Sequence, residues 1–182
     1  SGNTATETYP NHFYPVDCDE CHSAPVGVAT GTSGTAFTTA WRFVHDCRVI
    51  PLPQHDDERG CLTVMERASE LPFDVRRAFV ISNVPTGGTR GRHANMLTSE
   101  LIVCASGALT VRVDDGASTR SIHVSTVTGA LLVPASLWVE LRDFAPGTVV
   151  LVFADTDYHE ARHAYIRDHA QWLATRGVPC VA

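Results

Sequence analysis

The chain of 182 residues contains no lysine; all 14 basic side chains are arginine. Without a side-chain amine there is no Schiff-base chemistry, which excludes pyridoxal-phosphate and class I aldolase mechanisms. The phosphate-gripping lysine of P-loop and kinase sites is missing as well. An anion must therefore be held by backbone amides, a helix N-terminus or arginine, whose planar fork matches phosphate oxygens in a two-pronged way. No apolar run approaches a membrane span, and no basic-then-apolar leader opens the chain. A net charge of −6 gives no general attraction to nucleic acid or an anionic membrane. The expectation is a small-molecule protein with neither nucleic acid nor membrane as partner. Six cysteines (Cys18, Cys21, Cys47, Cys61, Cys104 and Cys180) are scattered, not framed as a small disulfide scaffold, and point to a reducing cytoplasm.

What is present fits one globular domain, with 44% hydrophobic and 19% charged residues. Residues 1–44 are rich in Thr, Gly, Ser and Ala, lack periodicity, and read as an irregular N-terminal extension. From residue 45 the pattern becomes short apolar runs separated by turns. Strands are expected at Arg48–Leu52, Cys61–Glu66, Val75–Ile81, Glu100–Ala105, Ala108–Val113, Ser121–Val124, Ala130–Val133, Trp138–Asp143 and Thr148–Ala154. This spacing predicts an all-β sandwich or barrel. Val111-Arg112-Val113 followed by Asp114-Asp115-Gly116 predicts a hairpin. Residues 160–176 contain no Gly or Pro, carry apolar residues near helical spacing, and predict one C-terminal α-helix.

The densest segment runs from Gly87 to Gly107 as G-x5-H-x-N-x4-E-x6-G, the first cupin signature with Asn95 at the second histidine position. Residues two apart on a strand share a face, so His93 and Asn95 both point into the interior, where Glu100 joins them from the next strand. The second signature, Gly129 to Val139, has valine where a metal-binding cupin has histidine. Two of four ligands are gone, so no metal is expected.

Residues 46 to about 172 resemble the dTDP-4-keto-6-deoxyglucose 3,4-ketoisomerases, the WxcM-like branch of the cupins. The matching stretches include Asp57 to Val64, Leu71 to Arg77, Arg90 to Ala94, Val113 to Gly116, Pro134 with Trp138 to Leu141, and Tyr165 to Asp168. The resemblance implies a metal-free, cofactor-free cupin jelly-roll barrel, a homodimer that exchanges N-terminal strands, and a nucleotide-linked sugar as substrate. It implies migration of a ketone from C4 to C3 through an enediolate. Such a reaction needs a base active near neutrality and donors aimed at the enediolate oxygens. His93 is the expected base, lifting and returning the proton, with Asn95 steadying the enediolate and Glu100 able to act as a second acid or base if burial raises its pKa. Arg59, Arg77 and Arg90 are expected to bind diphosphate or orient the sugar, and Phe79, Trp138 and Arg142 complete the expected substrate-binding set. The chain departs from the family at Asn95, which cannot carry a proton, at Glu100, commonly glutamine, and at Phe79, commonly tyrosine.

Two other readings keep the fold and change the task. One is a metal-free isomerase, epimerase, cyclase or dehydratase of natural-product biosynthesis acting on a substrate without dTDP. The other is a non-catalytic ligand-binding cupin. Cys18-Asp19-Glu20-Cys21-His22 has the C-x-x-C-H form of haem attachment, without the export signal that chemistry needs, and reads as two thiols. His159 and His163, four apart, are expected on one helix face as surface or packing residues.

Overall fold

The computed structural model describes residues 28–30, 36–38, 42–66 and 70–177; the Cys18/Cys21 motif and Cys180 lie outside them. In chain order the strands are β1 (Val28–Thr30), β2 (Ala36–Thr38), β3 (Arg48–Ile50), β4 (Gln54–Asp57), β5 (Gly60–Thr63), β6 (Arg77–Ile81), β7 (Arg90–Asn95), β8 (Glu100–Ser106), β9 (Ala108–Asp114), β10 (Thr119–Ser125), β11 (Ala130–Val133), β12 (Trp138–Arg142), β13 (Val149–Ala154) and β14 (Tyr165–Ile166). Two short helices close the order, α1 (Tyr158–Ala161) and α2 (His169–Thr175).

Two five-stranded antiparallel sheets, β10-β9-β12-β7-β14 and β3-β11-β8-β13-β6, form an all-β jelly roll. The sheets remain separate hydrogen-bonded units and do not join into a closed barrel. Strand alternation explains why they face each other. Ile102 and Cys104 of β8, Val111 and Val113 of β9, Val139 and Leu141 of β12, and Val150 and Val152 of β13 meet in one buried cluster. The intervening residues turn outward, where two further layers cover them. Leu101, Val103, Ala130 and Leu132 pack under Ile50, Met65 and Phe73. Ala94, Met96 and Trp138 pack under Ile166 and Trp172, the latter fully buried.

The expected hairpin is β9–β10. Asp114 Oδ1 accepts from the Gly116 amide at 2.7 Å, and Asp115 Oδ1 accepts from the amides of Ala117 and Ser118. Both carboxylates are buried but have backbone partners, as buried charge requires. Asp115 Oδ2 also accepts from the Val44 amide, fastening the start of the described core to this turn.

Two expectations are corrected. The stretch 1–44, read as irregular, contains the antiparallel pair β1–β2. The single helix over 160–176 is two helices separated by β14. Asp157 and Asp168 each cap a helix, accepting from the amides of Glu160 and Gln171, so the second helix starts well inside the expected one. Between them Tyr165 and Ile166 pair with Asn95 and Ala94. Burying Ile166 against the sheet and completing its edge outweighs the helical propensity of the segment. His159 and His163 therefore do not share a helix face; α1 ends at Ala161, and His163 Nε2 accepts from Arg162 Nε at 2.9 Å.

Candidate active site

The site is built on a bulge in β7. Val139 of β12 pairs with His93 and Glu140 pairs with Gly91, which leaves Arg92 as an extra residue. Gly91 and Arg92 take φ values of 77° and 55° to accommodate it. An added residue reverses the strand's alternation. Arg90, opposite inward-facing Leu141, and His93, opposite inward-facing Val139, thus share a face although they are three apart. Gly91 cannot be replaced freely. A Cβ there would lie 2.7 Å from the Val139 carbonyl oxygen, at a φ that L side chains rarely adopt.

The resulting cavity, about 390 Å³, is lined by Phe79, Arg90, His93, Glu100 and Tyr165 over a floor that includes Ile102, Leu141 and Val152. His93 donates a ring N–H to the Gly91 carbonyl. Burial holds the imidazole below its ordinary pKa, and the charges of Arg167 and Arg77 push the same way, against the Gly91 hydrogen bond. The ring packs against Tyr165, with centroids 4.7 Å apart. Burial drives Glu100 in the opposite sense, up to about 7; Arg77 opposes that rise and Asp155 adds to it.

Arg77 sits beside these two groups. One Nη donates to the Tyr165 hydroxyl at 3.4 Å, and the guanidinium lies over the rings of Phe79 and Tyr158. Its Nε and remaining Nη are buried with no partner. A buried charged donor left unpaired is costly, and a bound anionic oxygen removes that cost. Asn95 is placed differently. Its Oδ1 accepts from the amides of Leu97 and Thr98 at 3.3 and 3.2 Å, holding the β7–β8 turn, while its Nδ2 is buried without a partner.

The structure thus gathers Phe79, Arg90, His93 and Glu100 around one cavity and places Arg77 and Asn95 next to them. Three expected residues lie elsewhere. Trp138 faces the outer layer, 3% exposed, packed on Trp172 and donating to Glu140 Oε1. Its even position on β12 turns it away from the interior. Arg142, of the same parity, ion-pairs with Asp143 at 3.6 Å and lines no part of the cavity. Arg59 is at the exposed β4–β5 turn, ion-paired with Asp57. Tyr165 is the residue that the expected set omitted. It stands in a quoted family stretch, yet only the pairing of β14 with β7 reveals its place beside His93. Among the described residues no group of three or more His, Cys, Asp or Glu could hold a metal ion. No helix among them is long and apolar enough to cross a membrane.

Comparison with known proteins agrees with this construction. The family described as "FdtA: WxcM-like, C-terminal" matches residues 45–177, across both sheets and α2. The chain belongs to the FdtA/WxcM-like family. The TDP-4-oxo-6-deoxy-alpha-D-glucose-3,4-oxoisomerase of Aneurinibacillus thermoaerophilus is 30% identical over 122 residues, 67% of this chain and 86% of that one. The sugar 3,4-ketoisomerase QdtA from Thermoanaerobacterium thermosaccharolyticum, solved in complex with TDP, superposes with a TM-score of 0.68 at 26% identity, covering 74% of this chain and 97% of QdtA. The TDP-quinovose 3,4-ketoisomerase WlaRB from Campylobacter jejuni gives 0.65 at 27% identity, covering 72% and 99%. The FdtA/WxcM-like core of this chain thus spans nearly the whole length of these solved relatives, and residues 1–44 lie outside the family match.

Proposed function

We propose that this protein is a TDP-sugar 3,4-ketoisomerase, acting on a 4-keto-6-deoxyhexose without a metal or cofactor and serving deoxysugar biosynthesis. The observation that carries the reading is the convergence on one cavity of an imidazole with a lowered pKa and a buried carboxyl with a raised one, with a guanidinium carrying two unspent donors beside them. His93 removes the C3 proton through its other ring nitrogen. Arg77 holds the enediolate oxygens while the hydroxyl proton passes from O3 to O4. Glu100, protonated, delivers a proton to C4, and the carbonyl is left at C3. Arg90 at the cavity wall supplies the charge for the diphosphate.

Arg59 enters the reaction through a second copy of the chain. The β4–β5 ribbon is exposed along almost its whole length, and a two-stranded ribbon with no buried face is marginal alone. Beneath it lies a cavity of about 570 Å³ lined by Leu52, Met65, Val103 and Leu151 among others, with Leu62 and Val127 exposed beside it. A homodimer that covers these surfaces gives the ribbon its missing face and carries Arg59 toward the partner's substrate. We place the enzyme in the cytoplasm, in keeping with Cys47, Cys61 and Cys104 as free thiols.

The test is incubation with TDP-4-keto-6-deoxyglucose in deuterium oxide, followed by NMR. Wild type is expected to give the 3-keto product with solvent deuterium at C4, and His93→Gln to lose at least 100-fold of the rate. Unchanged turnover by His93→Gln would remove the histidine from the mechanism. TDP binding without any exchange would favour a ligand-binding role.

A further inference from the structure

A small recess adjoins the main cavity. It has a volume of about 10 Å³ and takes its polar lining from His93, Asn95, Thr98 and Glu100; the rest of the wall is apolar, Val139 included. His93 and Glu100 border the main cavity as well. This volume accepts about one water and nothing larger. The polar groups around it are already sorted by their other bonds. The Oδ1 of Asn95 faces two backbone N–H donors, which fixes the amide's orientation, since the flipped amide would set N–H against N–H. That leaves Nδ2, on a side chain 6% exposed, as an unspent donor. The Thr98 hydroxyl is bonded to that of Thr156. One nitrogen of His93 is committed to Gly91.

We propose that the recess is a one-water site in which Asn95 Nδ2 donates to the water and the water links the His93 ring to the Glu100 carboxyl. Asparagine cannot carry a proton, and here it acts as a positioning residue for a molecule that can. Resting on the ketoisomerase reading, the water's task is to reset the acid–base pair. After one turnover His93 holds the proton taken from C3, and Glu100 has given its proton to C4. The imidazolium passes a proton to the water as the water passes one to the carboxylate. Both groups return to their starting forms, with no net gain or loss of protons.

Crystal structures of the full chain, wild type and Val139→Ile, test the site itself. The expected result is one water within about 2.7–3.2 Å of Asn95 Nδ2 and of the Glu100 carboxyl, displaced by the added methylene of Val139→Ile. A dry wild-type recess, or Asn95 Nδ2 bonded directly to Glu100, would overturn the proposal. Rapid-mix kinetics with TDP-4-keto-6-deoxyglucose test the task. Val139→Ile is expected to keep its first turnover and lose at least tenfold in the steady state, giving a burst. Asn95→Asp, which keeps the turn-holding oxygen and loses the donor, gives the same burst and serves if Val139→Ile does not fold. Equal losses in both phases would overturn the relay, because a merely structural defect slows both. Should wild type turn over no TDP-4-keto sugar, the ketoisomerase reading and the relay fall together, and the water is then judged by its density alone.

Discussion

Replacing Glu100 by glutamine should stabilise the protein, and only above the pH at which an ordinary glutamate ionises. Burial moves this carboxyl from its ordinary 4.5 to about 7. Between those values the folded chain keeps the proton while the unfolded chain gives it up. The unfolded state then binds fewer protons, so stability falls as pH rises through this window and stays level above it. At 1.36 kcal/mol per pH unit the full fall is about 3 kcal/mol, and relaxation or water entry leaves about 1–3 kcal/mol. Glutamine keeps the shape of the protonated acid and has no charge to bury. At pH 5 the variant and wild type should melt within about 2 °C of each other. At pH 8 the variant should melt higher by roughly 2–12 °C, taking about 2–4 °C per kcal/mol for a chain of this length. Thermal denaturation of both proteins at the two pH values is sufficient, because comparing the variants cancels every other titrating group. A melting difference that is the same at pH 5 and pH 8 would show that Glu100 ionises normally, and the acid assigned to C4 would be lost with it. The stabilised variant should also be a poor enzyme, since glutamine has no proton to deliver.

Gly91→Ala should cost at least about 2 kcal/mol in chemical denaturation, from the left-handed φ together with the close Val139 carbonyl; a neutral effect would mean that the β7 bulge is not held as described. Trp138→Phe should lower stability by about 1–3 kcal/mol through lost packing on Trp172 and leave KM for the sugar unchanged; a raised KM at constant stability would return this tryptophan to the cavity rim. Arg59→Ala should weaken TDP binding measured by calorimetry at least tenfold, with sedimentation showing a dimer throughout; unaltered binding would confine the arm to assembly.

What the chain discloses before folding follows from which forces are local. Most core strands were visible because apolar alternation is a local property, and Ala130–Val133 was placed at both ends. The Asp114-Asp115-Gly116 turn was visible because short carboxylates bond their own backbone. Strand β14 was hidden because two residues carry no period, and its existence depends on an edge of β7 some seventy residues earlier. Hence Tyr165 was missed and one helix was expected where there are two. Parity explains as well why two of the expected site residues lie away from the cavity. Trp138 and Arg142 lie next to inward-facing residues in sequence, and only the register of β12 shows that both turn outward. The motif puts His93 on the same cavity as Glu100, while Arg90 joins them through a bulge that nothing short of the strand pairing exposes.

One physical cause underlies the two roles proposed for His93 and Glu100. Desolvation penalises whichever form of a group is charged. For Glu100 that is the carboxylate, and the pKa rises; for His93 it is the imidazolium, and the pKa falls. Histidine ordinarily holds its proton more tightly than glutamate by about two units. In this cavity the order is reversed, so near neutral pH the imidazole is free to accept and a large share of the carboxyl is ready to donate. Arg77 opposes the rise at Glu100 and adds to the fall at His93, favouring the ionised glutamate and the neutral imidazole. A base and an acid thus arise from a single dry wall, without a second histidine. Because desolvation lowers the imidazole and raises the carboxyl, it favours return of a proton from His93 to Glu100, and resetting the pair needs only a path between them.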